Sequence, residues 1–114
     1  MKTLHRRFRF VSGGIVWIAV WALGPVARGA EGADLFVQQC APCHGEDGKA
    51  RNPAAKKLGV RDLTVSKLTD AEIEKQVRDG VRNKRGLEVM PAFKEKLTPE
   101  EIQAVVAAVK RLRK

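Results

Sequence analysis

Two thiols and an imidazole stand together in Cys40-Ala41-Pro42-Cys43-His44. Cysteines separated by two residues, with a histidine directly after the second, have the spacing at which haem is attached covalently to a chain. Each sulfur can add to one haem vinyl group, and the adjoining His is then held beneath the ring with a nitrogen aimed at the iron. Three other uses of these residues fit less well. Structural zinc takes four ligands, and the chain has two Cys and two His, the second being His5 near the N-terminus. A thioredoxin-like dithiol needs a strand before the motif and a βαβ unit around it, whereas the residues before Cys40 have a helical pattern. A disulfide across so short a loop would restrict the unfolded chain very little.

Iron held by His44 has either a sixth ligand or an open position, and this choice separates electron transfer from ligand chemistry. His5 lies in a segment expected to be removed, which leaves no second His. Apart from the initiator, the one methionine is Met90, in Met90-Pro91-Ala92-Phe93. A lone Met commonly fills a gap in a core. This one lies outside any helical pattern, and Pro91 restricts the backbone at and before it. Met90 is therefore assigned as the sixth ligand, which favours ferrous iron and raises the potential.

The elements that must position these groups are helical, and nothing in the sequence marks a strand. From Gly32 to Cys40 no residue breaks a helix, and Phe36 and Cys40 lie four apart on one face. A polar loop follows His44, with one helical turn expected over Pro53 to Leu58. Thr69 and Glu72 form a capping-box pattern before Ile73 and Val77, and Gly80 is placed to end that helix, which predicts a short amphipathic helix from Asp70 to Asp79. Thr98, Pro99 and Glu101 open the last helix, whose apolar stripe is Ile102, Val105, Val106, Val109 and Leu112. That stripe must be buried, and the helix carrying Phe36 is its nearest partner. The expected fold is all-α, three to four short helices wrapped around one covalently attached haem. Residues 82–89 are expected to form a mobile basic loop leading to Met90.

Residues 1–29 differ from the rest. Lys2, Arg6, Arg7 and Arg9 precede a mostly apolar run from Val11 to Leu23, and small residues follow at Ala27 and Gly29. That order is a secretory signal peptide cut after Gly29, leaving one domain over 30–114. The alternative is an uncleaved membrane anchor, although the run is shorter than the roughly 20 residues that span a bilayer. Export fits the motif, because an oxidising compartment such as the periplasm is where exposed Cys pairs are tolerable. Five of the 22 basic residues and none of the 13 acidic ones leave with the segment, so the formal charge falls from +9 to +4. A nucleic-acid partner argued from overall basicity is excluded on that ground. Beyond residue 29 the only aromatic residues are Phe36 and Phe93. So small and aromatic-poor a core is marginal by itself, and folding is expected to depend on the haem.

Cys40-Ala-Pro-Cys-His44-Gly and Met90-Pro-Ala-Phe93, in that order and separation, resemble the two haem motifs of the class I c-type cytochromes, and the likeness covers essentially all of 32–114. The resemblance implies a cytochrome c-like fold with one haem c, thioether bonds to Cys40 and Cys43, and axial iron ligands His44 and Met90. It also implies that Gly32 and Phe36 mark the crossing of the first and last helices. Pro53 resembles the family proline whose carbonyl accepts from the axial His ring. One departure is Ala108, with Val105 and Val109 nearby, where the family commonly places an aromatic on the last helix. A monomer without catalytic residues is expected.

The expectation is a periplasmic one-electron carrier that docks with redox partner proteins, some with acidic docking surfaces. Contact with a membrane would come only through partner complexes or an uncleaved N-terminal segment. The alternative is a small haem peroxidase or gas-binding protein with Met90 displaced. Two groups of cations, Lys49, Arg51, Lys56 and Lys57 after His44, and Arg82, Lys84, Arg85, Lys94 and Lys96 around Met90, are expected to surround an exposed haem edge.

Overall fold

The computed structural model describes residues 27–114. The expected signal segment lies almost wholly outside them, and a cut after Gly29 falls in the first turn of the first described helix. That helix, α1 (Ala27–Leu35), runs into a π-helical turn (Phe36–Cys40) and then α2 (Ala41–His44). The widened turn differs from the regular helix that the sequence predicts, and Pro42 accounts for it. Proline has no N–H to give the carbonyl four residues back, and its ring pushes that carbonyl away. The Ala41 N–H bonds instead to the Phe36 carbonyl, five residues back. Phe36 and Cys40 both remain buried.

Helix α3 (Pro53–Leu58) is capped by Asn52, and Asp62 caps a single 3₁₀ turn at Leu63–Val65. Both Asp62 bonds reach Thr64, from its N–H at 2.8 Å and its hydroxyl at 2.6 Å. Helices α4 (Asp70–Asp79) and α5 (Pro99–Arg111) begin with the capping boxes read from the sequence, Thr69 with Glu72 and Thr98 with Glu101. Together these make four helical rods around a single core.

That core is the apolar face of α5 against α1 and α4. Val105 is fully buried, and Ile102, Val106, Ala108 and Val109 join it with Phe36, Ile73, Val77 and Phe93. The α1–α5 crossing depends on Gly32, where a Cβ would lie 2.3 Å from the Ala104 carbonyl oxygen. Close backbone approach thus replaces part of the aromatic packing that the sequence lacks. Lys110 reaches Asp70 at 2.8 Å, and the Arg113 guanidinium donates to the Leu68 carbonyl at 2.7 Å, fixing the end of α5 to the start of α4.

The segment expected to be a mobile loop is a hairpin. Strand β1 (Val81–Arg82) pairs antiparallel with β2 (Glu88–Met90), with Val81 opposite Met90 and Arg82 opposite Glu88. Asn83 holds the turn closed: its side-chain oxygen accepts from the N–H groups of Arg85 and Leu87, and its own N–H bonds to the Leu87 carbonyl. Two ladder steps on β2 face one on β1, so Val89 is a bulge.

Candidate haem site

His44 ends α2 and lies with Cys40 and Cys43 on the wall of a cavity of about 940 Å³, near the upper end of the range for small-molecule sites. Met90 lines the same cavity from β2, and Leu63, Leu68 and Phe93 supply apolar wall. Both ends of the sequence pattern, separated by more than forty residues, thus meet in one space. The bulge explains how β2 serves it. Successive residues of a regular strand face opposite sides, but the extra residue lets Val89 and Met90 line the cavity together.

The Met90 segment is anchored by the end of α4. The Phe93 N–H bonds to the Val77 carbonyl at 3.0 Å and the Lys94 N–H to the Arg78 carbonyl at 3.2 Å, which also satisfies two carbonyls of the last helical turn. Gly80 lies beneath, at φ 73°. A Cβ there would be 2.6 Å from the Met90 carbonyl oxygen and 2.9 Å from the Ala92 nitrogen, so only glycine meets both the backbone angle and the space.

On the other motif, the tie to the following helix is made by Asn52, the residue before Pro53. The Asn52 side-chain amide donates to the Cys43 carbonyl at 3.0 Å and to that of Pro42 at 3.5 Å, while its oxygen accepts from the Ala55 N–H at 2.8 Å. One side chain therefore ties α2 to α3. Pro53 is exposed, is absent from the cavity wall, and does not accept from the imidazole: His44 Nδ1 is buried with no hydrogen-bond partner. The reason is its position. As the first residue of α3, Pro53 has its carbonyl directed along the helix axis.

The electrostatics suit a buried apolar group with metal. Burial pulls the His44 imidazole below its ordinary range, so it is neutral at pH 7, the form that binds iron. Burial first, and then the neighbouring Cys43, push the Cys40 thiol up to about 11, so in the folded chain it is protonated and a weak nucleophile. A thioether bond removes that proton altogether. Two free sulfurs, a buried imidazole nitrogen without partner and a thioether on one largely apolar wall fit a covalently held haem.

The expected cationic rim is placed differently. None of Lys49, Arg51, Lys56 and Lys57 lines the cavity, nor do Arg82, Lys84, Arg85, Lys94 and Lys96. The cations that do are Arg61 and Lys67, which sequence reading passed over because no local pattern marks them. Arg51 instead pairs with Asp47, and Lys96 sits 5.7 Å from the centre of the Phe93 ring. Among the described residues, no helix is long and apolar enough to cross a membrane.

Comparison with known proteins agrees with this geometry. Residues 27–107 match the family model described as cytochrome c oxidase, cbb3-type, subunit III. Cytochrome c6 of Anabaena variabilis is 36% identical over 88 residues, covering 73% of this chain and 90% of its own. Cytochrome c6 of Bryopsis maxima is 38% identical over 78 residues, covering 68% and 84%. The cbb3-type cytochrome c oxidase subunit FixP of Azorhizobium caulinodans is 33% identical over 91 residues, 80% of this chain, but the chain spans only 29% of that relative's length. Among solved structures, the KustC0563 c-type cytochrome superposes with a TM-score of 0.64 at 37% identity, covering 73% of this chain and 98% of the other.

Proposed function

The chain belongs to the class I c-type cytochromes, an electron-transfer family with covalently bound haem c, and on that footing we propose that it is an exported, single-haem, one-electron carrier with His44 and Met90 as axial ligands. The observation that carries this reading is the convergence of Cys40, Cys43, His44 and Met90 on one cavity. Haem supplies a one-electron iron couple. The chain supplies its attachment through Cys40 and Cys43, a neutral imidazole from His44, the Met90 thioether, and an apolar wall that excludes water. With His44 and Met90 both holding the iron, no site would be left for substrate, so the protein would exchange electrons rather than act as an enzyme.

The segment before α1 supports export to the periplasm and cleavage after Gly29. Likeness to one part of a cbb3-type oxidase subunit supports an oxidase complex among the redox partners. Intact mass and amino-terminal sequencing of the exported protein test attachment and cleavage, with one haem added and Ala30 at the new terminus as the expected result. The ferric absorption spectrum tests ligation. A weak long-wavelength band from sulfur on low-spin iron supports the carrier, whereas a high-spin spectrum supports a peroxidase or gas-binding protein with Met90 displaced.

A further inference from the structure

The iron needs the His44 ring at a set angle, and we propose that Asn52 is the positioning residue that fixes it, acting through the backbone of the haem motif. This rests on the carrier reading above and deepens it at the same site. A metal-bound imidazole is ordinarily oriented through its second ring nitrogen, which donates to a carbonyl, a carboxylate or water. His44 Nδ1 is buried with no hydrogen-bond partner among the described residues, so the ring takes its direction from the backbone that carries it.

That backbone is held by the polar loop that follows it. The Ala50 N–H bonds to the His44 carbonyl at 2.8 Å, and the Asn52 side-chain amide donates to the Cys43 carbonyl at 3.0 Å. Both carbonyls lie at the C-terminal end of α2, where no later residue of the helix can reach them. The Cys43 carbonyl belongs to the peptide unit that joins the second thiol residue to the axial ligand. Rotating that unit turns the His44 side chain, so the Asn52 amide controls the direction of the ring.

The loop is also strained where it meets His44. Ala50 stands at φ 50°, the one non-glycine residue with positive φ among the described residues, and it is buried. An L-residue keeps that conformation only where its surroundings enforce it. Here it brings the Ala50 N–H to the His44 carbonyl. Asn52 is half-buried, and its oxygen accepts from the Ala55 N–H at 2.8 Å, so the same side chain is anchored to α3. A cap needs only that oxygen. The amide bond to Cys43 is the part that capping does not explain.

The test uses the complete haem-loaded protein in its ferric state, read by the proton NMR shifts of the four haem methyl groups. Their pattern follows the direction of the axial ring about the iron, which a loss of stability alone does not turn. Asn52→Ser keeps an oxygen to cap α3 but is too short to reach the Cys43 carbonyl as well, and Asn52→Ala loses both bonds. Ala54→Gly, at an exposed position of α3, weakens that helix and keeps both. The two Asn52 variants should shift the methyl signals in the same sense, while Ala54→Gly lowers the unfolding midpoint with the wild-type pattern. If Asn52→Ala does not retain haem, Asn52→Ser, with its cap intact, carries the comparison. A wild-type pattern in Asn52→Ser would overturn the proposal and leave Asn52 a helix cap. So would an equal shift in Ala54→Gly, which would make the pattern a general response to α3. A wild-type protein without haem absorption would instead remove the carrier reading itself.

Discussion

Met90 and Asn52 represent two kinds of residue in this site. That Met90 belongs to the same site as the Cys40–His44 motif was legible in the sequence, because elimination left no other candidate ligand and Pro91 restricts the segment that carries it. Replacing it with Ala should leave haem attached through Cys40 and Cys43, lower the potential by on the order of a hundred millivolts, and let added cyanide or imidazole bind the ferric iron. Optical titration with cyanide in wild type and variant checks this, and a variant with the wild-type spectrum would show that another side chain is the ligand. Asn52 was half legible. Asn before Pro is a familiar start to a helix, but its bonds to the Pro42 and Cys43 carbonyls join residues about ten apart that no local pattern connects. Asn52→Ala should cost about 1–2 kcal/mol in denaturant unfolding of the haem protein, because the part-buried Cys43 carbonyl loses its donor along with the helix cap.

At the scale of elements, α3 and α4 were readable to the residue and α5 at its start, since capping boxes and Pro at the first helical position are local chemistry. The π-helical turn and the hairpin were not. The turn follows from Pro42, one residue inside a haem motif, where its effect on the helix was overlooked. The hairpin strands are too short for alternation to register, and Asn83 declares itself only through bonds across the turn. Gly80 joins α4 to that hairpin, so Gly80→Ala should act on the site: strained φ and a Cβ 2.6 Å from the Met90 carbonyl oxygen must displace the Met90 segment. The expected result is about 1–3 kcal/mol of lost stability together with a weakened sulfur-to-iron band. Stability lost with the band unchanged would mean that the strain is absorbed elsewhere.

Acid should act at the same scale. The Thr64 hydroxyl and N–H hold the Asp62 carboxyl below its ordinary range, and the Thr69 N–H and hydroxyl do the same for Glu72. A depressed folded-state value stabilises above the unfolded value, roughly pH 4, and that stabilisation is lost as pH falls through it. Denaturation midpoints of the haem protein should therefore drop below about pH 4. Asp62→Asn should lose stability at neutral pH and show a shallower acid decline; an unaltered pH profile would show that the Thr64 bonds contribute nothing.

For the molecule as a whole, the core is small, and its closest helix crossing is backbone on backbone at Gly32 and Ala104. Gly32 was legible as a small residue four before Phe36, but the lack of room for a Cβ against the Ala104 carbonyl is a property of two helices in contact. A chain with this small core and a cavity of about 940 Å³ is expected to depend on the haem for folding. Cys40→Ala/Cys43→Ala, which abolishes attachment, should show little helix by circular dichroism, and native-like helicity without haem would contradict this dependence. What the sequence could not place was the charge, because each cation's surroundings are set by packing. Arg61 and Lys67 reached the cavity while the nine cations expected around it did not.

The central claim, that His44 and Met90 hold one covalently attached haem for one-electron transfer, is tested most directly by a potentiometric titration of the exported protein followed by its optical spectra. A carrier held by His44 and Met90 should show a single reversible one-electron transition at a raised potential, low-spin spectra in both oxidation states, and a ferrous form that does not bind carbon monoxide. A ferrous form that takes up carbon monoxide readily, with a high-spin ferric spectrum at neutral pH, would place Met90 off the iron and contradict it.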